Sequence, residues 1–259
     1  MATFLFNEII FGPVKSRRLG VSLGVNLLPL DKKYCNFDCI YCECGWSCNP
    51  EVGASDLPSR TSVAEHLEKK IIEMAGNDTT PDVITFAGNG EPTLHPDFAG
   101  IIDDTLQIRD KYCPAAEIAV LSNAFRLENA QIRAALCRVE QNILKLDTAI
   151  EETYRLINRP AGNKPLDQII GQLSQFEGDL IIQSLFFRGS FKGQAVDNTS
   201  EQELLCLFEA YQAISPMRIM VYTFERDTPT GTLEKIPAYE LDAIAALIEQ
   251  LGIKAEVYA

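Results

Sequence analysis

Histidine and tryptophan are nearly missing from these 259 residues, with two and one copies. Histidine-based acid–base or metal chemistry could draw only on His66 and His95, and neither has a second histidine or an acid at ligand spacing. A non-metal role is expected for both, with His95 able to cap the helix that follows it. No apolar run approaches the roughly 18 residues of a membrane span. The stretch from Met1 to Phe11 lacks the basic region and cleavage site of a signal peptide, so a cytoplasmic protein without membrane contact is expected. Positive charge is also scarce: 23 basic against 36 acidic residues give a net charge of −13. That deficit works against charge-driven binding to nucleic acid or anionic lipid. Repeats, low-complexity tracts and linkers are absent too, which favours one domain over residues 1–259, with residues 1–21 as an extension leading into the first strand.

Cysteine, by contrast, is concentrated. Five of eight cysteines fall between Cys35 and Cys48, while Cys113, Cys137 and Cys206 stand alone in helical or helix-flanking segments and read as core residues. In a reducing compartment such a cluster implies metal ligation before disulfides. Lys15, Arg17, Arg18, Lys32 and Lys33 form a basic group nearby, readable as a local patch or a solvated edge.

Short β-rich runs alternate with amphipathic segments of helical length, the pattern of βα units on a parallel sheet. The strand candidates are Ser22–Leu28, Val83–Ala87, Glu117–Leu121, Ile143–Asp147, Leu180–Phe187, Arg218–Phe224 and Lys254–Tyr258. Helices are expected near Val63–Ala75, Phe98–Lys111, Glu128–Val139, Leu166–Phe176, Glu201–Ile214 and Tyr239–Leu251, where apolar residues recur at three and four, as in Leu241, Ile244, Ala245 and Ile248. Asn158–Pro165 and Gly189–Ser200 read as long loops. Six or seven strands fall short of eight, so the expected fold is α/β, a partial (β/α)6 TIM-type barrel. In such a fold function gathers where strands end.

After the first strand stands Cys35-Asn36-Phe37-Asp38-Cys39-Ile40-Tyr41-Cys42. Three thiolates on one short loop can hold three irons of a cubane [4Fe-4S] cluster and leave the fourth iron open. The alternative is a structural zinc site with four ligands among Cys35, Cys39, Cys42, Cys44 and Cys48. After the second strand comes Gly88-Asn89-Gly90-Glu91-Pro92, where glycines admit close backbone approach and a carboxylate can accept from an ammonium group. The third and fourth strands end in Ser122-Asn123 and Lys145-Leu146-Asp147, polar groups suited to ribose hydroxyls and an amino-acid head group. Gln183 and Ser184 lie on the fifth strand. Arg188 and Arg226 fall where a substrate or cofactor carboxylate would lie.

The cysteine spacing, with aromatic Tyr41 before the third cysteine, resembles the radical S-adenosylmethionine (SAM) superfamily. The resemblance implies that Cys35, Cys39 and Cys42 hold a [4Fe-4S] cluster whose open iron chelates SAM, and that Tyr41 lies near the adenine. It further implies that Gly88, Gly90, Glu91 and Pro92 correspond to the family's Gly-Gly-Glu element for the SAM amino group, although Asn89 separates the two glycines. Ser122, Asn123, Asp147 and Gln183 become cofactor contacts. Ala149 stands where some relatives carry a carboxylate-binding lysine, leaving Arg188 or Lys145 as the cation. Phe11–Gly20 leading into Ser22–Asn26, together with Glu43-Cys44-Gly45-Trp46, resembles an iron–sulfur oxidoreductase branch similar to the wyosine-base-forming tRNA enzymes. The implied activity is reductive SAM cleavage to a 5′-deoxyadenosyl radical. Its partners would be an electron donor such as flavodoxin or ferredoxin and a small-molecule, peptide or nucleotide substrate. A non-catalytic iron–sulfur or zinc protein is the competing reading, tRNA base modification a minor one, and an auxiliary cluster on Cys44 and Cys48 a further possibility. Metal analysis separates the first two. Protein purified anaerobically should contain iron and acid-labile sulfide, and stoichiometric zinc without sulfide would refute the cluster.

Overall fold

A computed structural model describes residues 4–16, 18–47, 52–77 and 79–259. Cys48 and Arg17 therefore lie outside the described residues, and the expectations attached to them are not carried further. Strand β1 (Ile10–Ser16) turns back antiparallel onto β2 (Gly20–Val25). Six crossovers follow. They run through α1 (Arg60–Gly76) to β3 (Val83–Phe86), α2 (Phe98–Tyr112) to β4 (Glu117–Ser122), and α3 (Ala130–Leu136) to β5 (Gln141–Lys145). The fourth uses α4 (Glu151–Ile157) and α5 (Leu166–Leu173) to reach β6 (Ile181–Leu185). Beyond β6 the chain forms β7 (Phe187–Phe191) and β8 (Gln194–Asp197), then α6 (Glu201–Ile214) and β9 (Arg218–Tyr222). The last unit runs through β10 (Leu233–Lys235) and α7 (Ala238–Gln250) to β11 (Ala255–Tyr258).

The main sheet has the order β1-β2-β3-β4-β5-β6-β9-β11, parallel from β2 onward. It is the partial TIM-type barrel the alternation implied: six βα units ending on a seventh parallel strand. Because helices cover the outside and side chains fill the inside, the central strands are buried on both faces, so Val83–Phe86 and Ile181–Leu185 are buried throughout. On the inner face Val83, Ala119, Ile143, Ile181 and Met220 form a separate apolar layer, against which Leu19 packs from the β1–β2 turn. This layer floors the barrel. Outside, each helix buries one stripe, as in Val63, Leu67, Ile71 and Met74 of α1 or Leu241, Ile244, Ala245 and Ile248 of α7.

Several expectations need correction. The extension over residues 1–21 contains a strand that was not expected, β1, which forms the antiparallel edge of the sheet. Gly12 and Pro13 disguise that strand, and the register shifts there, between Phe11 and Val14. Gly189–Ser200 is not a loop: β7 and β8 form a hairpin that β10 extends into a second, three-stranded sheet. The expected strand Leu180–Phe187 breaks at Phe186, and buried Asn198 fixes the break by accepting from Phe187 N (2.9 Å) while donating to Leu185 O (2.7 Å). Helix α4 went unread because its seven residues offer too few turns for a visible period. Cys113 is buried as expected, but Cys137 is exposed. Among the described residues no helix is long and apolar enough to cross a membrane.

The floor layer should be a stability determinant independent of chemistry. Ile181→Ala, at a fully buried site, is expected to lower unfolding free energy by about 2–5 kcal/mol in urea titrations, with metal content of the folded protein unchanged.

Candidate active site

The cysteine loop lies above the C-terminal ends of the parallel strands, and backbone hydrogen bonds fix it from two sides. On one side Tyr34 N donates to Asn89 O (2.8 Å) and Glu91 N to Tyr34 O (3.1 Å), a short parallel bridge to Gly90. Gly90 has φ +142°, and a Cβ there would stand 1.9 Å from Tyr34 O, so only glycine lets the two loops meet. On the other side Asp38 N donates to Asn158 O (3.0 Å), Ile40 N to Ile157 O (2.9 Å) and Ala161 N to Asn36 O (2.7 Å). The loop is thus pinned between the glycine segment and the chain leaving α4.

Asn89 explains the departure from a double glycine. It is fully buried, accepts from Phe6 N (2.8 Å) and donates to Phe6 O and Pro29 O (both 2.8 Å). It ties the N-terminal segment to the barrel and leaves Gly90-Glu91 free to face inward. Gly88 packs on Asn26, whose Oδ1 a Cβ would approach to 2.4 Å.

One cavity of about 380 Å³ opens at this end of the barrel, within the range of small-molecule sites. Cys35, Cys39, Cys42 and Tyr41 line it, as do Gly88, Gly90 and Glu91, then Ser122 and Asn123, and Gln183 and Arg226. The cysteine loop after β2 and the ends of β3, β4, β6 and β9 therefore bring together residues spread over nearly two hundred positions. Glu91 is buried and well supplied: Oε1 accepts from Thr93 N (3.1 Å), Thr93 Oγ1 (2.6 Å) and Ser122 Oγ (2.8 Å), while Oε2 accepts from Asn123 N (2.7 Å). Burial raises its pKa and these donors oppose the rise.

Three expected contacts do not line that cavity. Pro92 is buried at the start of a 3-10 turn that Glu91 caps. Asp147 is enclosed behind Tyr41: it accepts from Tyr41 Oη, from Lys145 Nζ (3.2 Å), from Asn158 Nδ2 (2.8 Å) and from Leu185 N (3.0 Å). All its capacity goes to holding the wall. Arg188 is on β7, because the chain leaves the barrel at Phe186; its guanidinium pairs with Glu240 (2.6 Å) and donates to Thr199 (2.8 Å). Arg226 reaches the rim, where Glu43 neutralises it at 3.1 Å and Phe4 lies under its guanidinium.

Lysines that read as ordinary in the sequence carry the local positive charge. Lys33, 3% exposed, lines the cavity beside the cysteines, donates to Gly45 O (2.9 Å) and faces Asp38 at 3.7 Å. Burial alone would depress its pKa, but the facing thiolates of Cys42, Cys35 and Cys39 and the Asp38 carboxylate drive it well above the ordinary lysine value. Lys145 is likewise opposed by burial and raised by Asp147, and its Nζ donates to Tyr41 Oη at 2.9 Å. Burial pushes Cys35 and Cys39 up. Cys42 instead falls to about 6, because the Cys44 thiol donates a hydrogen bond to it, against burial and with help from Lys33. Arg18 reaches the same cavity, stacked 4.1 Å above Tyr222.

The donor set fits a polynuclear cluster. Three thiols face one cavity with a buried cation beside them; among the described residues no three Cys, His, Asp or Glu side chains converge on a single metal-ion position, and Cys48 of the zinc alternative lies outside those residues. Cubane ligands bind different irons and need no such convergence. Gly88 O, 3.5 Å from Cys44 Sγ, is an alternative acceptor for the one thiol hydrogen of Cys44. His95 contacts Pro58 O (2.9 Å) and accepts from Asp97 N (3.1 Å), but Asp97 is the N-cap of α2 and no side chain caps that helix, so the expected capping role is not filled; His66 is exposed on α1. Sequence reasoning gave Asn158 no role beyond the start of a loop and read Lys33 as part of either a local basic patch or a solvated edge. Asn158 carries no motif; the one clue to Lys33 was its place two residues before Cys35.

Comparison with known proteins agrees with this geometry. The sequence model of the Radical SAM superfamily matches residues 32–177. A UPF0026 protein of Helicobacter pylori (strain J99) is 30% identical over 222 residues, covering 84% of this chain and 67% of that protein. Across its curated relatives the chain spans between 32% and 77% of their length. Among solved structures, a radical SAM methyltransferase from Sphaerobacter thermophilus superposes with TM-score 0.67 at 12% identity, over 92% of this chain and 65% of that one. Archaeal TYW1 superposes with TM-score 0.51 at 16% identity, over 88% and 71%.

The Cys42–Cys44 contact has a readout in metal-free protein. Alkylation of Cys42 by iodoacetamide should accelerate with pH through a midpoint near 6, since only the thiolate reacts. The same peptide mapping of Cys44→Ala should place that midpoint at higher pH.

Proposed function

Because the chain belongs to the radical SAM superfamily, we propose that it holds a [4Fe-4S] cluster on Cys35, Cys39 and Cys42 and uses it to cleave S-adenosylmethionine reductively. The observation that carries this reading is the convergence of those three thiols, Glu91 with its donors, and Tyr41 and Gln183 on a single cavity at the strand ends. When bound, the cluster would supply one electron to SAM's sulfonium, releasing methionine and a 5′-deoxyadenosyl radical that abstracts hydrogen from substrate.

The chain's own residues do the placing. Glu91 Oε1 is saturated by three donors, while Oε2 takes one and keeps acceptor capacity for SAM's ammonium. Ser122 and Asn123 hold that carboxylate rigid, so little order has to be imposed on binding. Tyr41 is locked at its hydroxyl by Asp147, Lys145 and Asn158, which leaves its ring as a fixed apolar surface for the adenine; Gln183 offers an amide to the adenosine. Lys145 takes the role of carboxylate-binding cation that Arg188, engaged elsewhere, does not fill. The apolar floor beneath excludes water from a reactive radical. Electrons would come from a low-potential carrier of the flavodoxin or ferredoxin type. A net charge of −13 disfavours a polyanionic substrate such as tRNA and favours a small molecule or peptide.

Anaerobic reconstitution followed by dithionite and SAM should yield 5′-deoxyadenosine and methionine. Cys39→Ala should lose both iron and products with its circular dichroism intact. Glu91→Gln should keep the cluster and weaken SAM binding about 10- to 100-fold, the loss of a charge-assisted hydrogen bond. Cleavage retained by Cys39→Ala would overturn the cluster assignment.

A further inference from the structure

Two of the three cysteine sulfurs each have an asparagine amide beside them. Asn123 Nδ2 lies 3.6 Å from Cys35 Sγ, and Asn158 Nδ2 lies 3.6 Å from Cys39 Sγ. Asn158 is only 2% exposed and is held in place twice over. Its backbone N–H closes the last turn of α4 on Tyr154 O (3.0 Å), and its carbonyl accepts from Asp38 N (3.0 Å) inside the cysteine loop. Its Nδ2 also meets Asp147 Oδ2 and Tyr41 Oη, both at 2.8 Å. These contacts fix the amide orientation, because the opposite flip would set Oδ1 against a carboxylate that can only accept. An amide nitrogen carries two hydrogens. One serves Asp147 and Tyr41, and the other is left for the sulfur.

We propose that Asn158 is a redox-positioning residue, whose buried side-chain N–H donates to the Cys39 thiolate and raises the reduction potential of the cluster. The inference rests on the cluster reading above. A donor to a ligand sulfur withdraws charge from it. The reduced cluster carries one more negative charge than the oxidised form and is therefore stabilised more, so the potential rises. Burial strengthens the effect, since no water competes for either partner. The same amide holds Tyr41 and Asp147, which couples the ring proposed to face the adenine to the ligand sulfur that accepts the electron density. Asn123 does the equivalent at Cys35 from the end of β4, where its amide also meets Asn36 Oδ1 at 2.7 Å. Asn158 is the more deeply buried of the two, 2% exposed against 7%, and is the one to test.

The measurement is an EPR-monitored redox titration of reconstituted full-length protein without SAM, comparing wild type with Asn158→Leu, a substitution of similar volume without a donor. Asn158→Leu should keep the wild-type iron and sulfide content, show a midpoint potential shifted to more negative values, and raise its iron–thiolate stretching frequencies in resonance Raman spectra. In case Asn158→Leu fails to load the cluster, Asn123→Leu protein labelled with side-chain ¹⁵N asparagine, which lacks the amide beside Cys35, provides a second readout: its reduced cluster should still show ¹⁵N hyperfine coupling. A loaded Asn158→Leu cluster with unchanged potential, or loaded Asn123→Leu protein without that coupling, overturns the assignment of Asn158 alone. Wild type without iron and sulfide overturns the cluster reading and this inference together.

Discussion

The site depends on one constraint: a thirteen-residue stretch from Tyr34 to Trp46, with little regular structure of its own, must be held still at the mouth of a barrel. Besides Cys42 N to Cys39 O and Gly45 N to Cys42 O inside the stretch, the backbone hydrogen bonds that do this come from Asn89 and Glu91 on one side and from residues 157–161 on the other. Buried backbone groups must be paired somewhere. Here pairing them also sets the positions of three thiols. The glycine segment and the end of α4 are therefore parts of the site even where they touch no ligand.

Charge is handled by the same economy of contacts. Glu91, Asp147 and Lys33 are buried and Lys145 is half-buried, and each faces a donor or an opposite charge that is itself fixed. Isolated, any of these would be costly to bury. Together they leave an apolar-walled cavity with a few directed polar groups, in an acidic chain whose Lys33 and Lys145 stand beside the cysteines and Tyr41. The outward-facing pairs, such as Arg188 with Glu240 and Arg226 with Glu43, are more exposed and contribute less to holding the site.

The double role of Tyr41 follows from this packing. Its ring lines the cavity while its hydroxyl is tied into a buried network with Asp147, Lys145 and Asn158. A phenylalanine there would retain the surface but release three polar partners into an apolar wall. That makes the hydroxyl a structural requirement beside a ring whose job is recognition, and it connects the cysteine loop to the ends of β5 and α4.

The amino-acid order by itself determined the alternation of strands and helices, the partial barrel, the three-cysteine loop and the strand-end positions of Glu91, Ser122, Asn123 and Gln183. Local periodicity and short-range spacing carry that information, since each signal fits within one element or one loop. Which polar residues reach the cavity was decided only in three dimensions. Asp147 sits at a strand end like Ser122 but is consumed by the wall, because Tyr41, Lys145 and Asn158 close over it. Arg188 was lost to the site when the chain broke at Phe186 to begin a second sheet, and Lys33 entered it because the cysteine loop folded back over a residue that looked like surface. Asn158 had no local pattern to mark it. Its importance arises from contacts spanning more than a hundred residues, and tertiary packing alone specifies those.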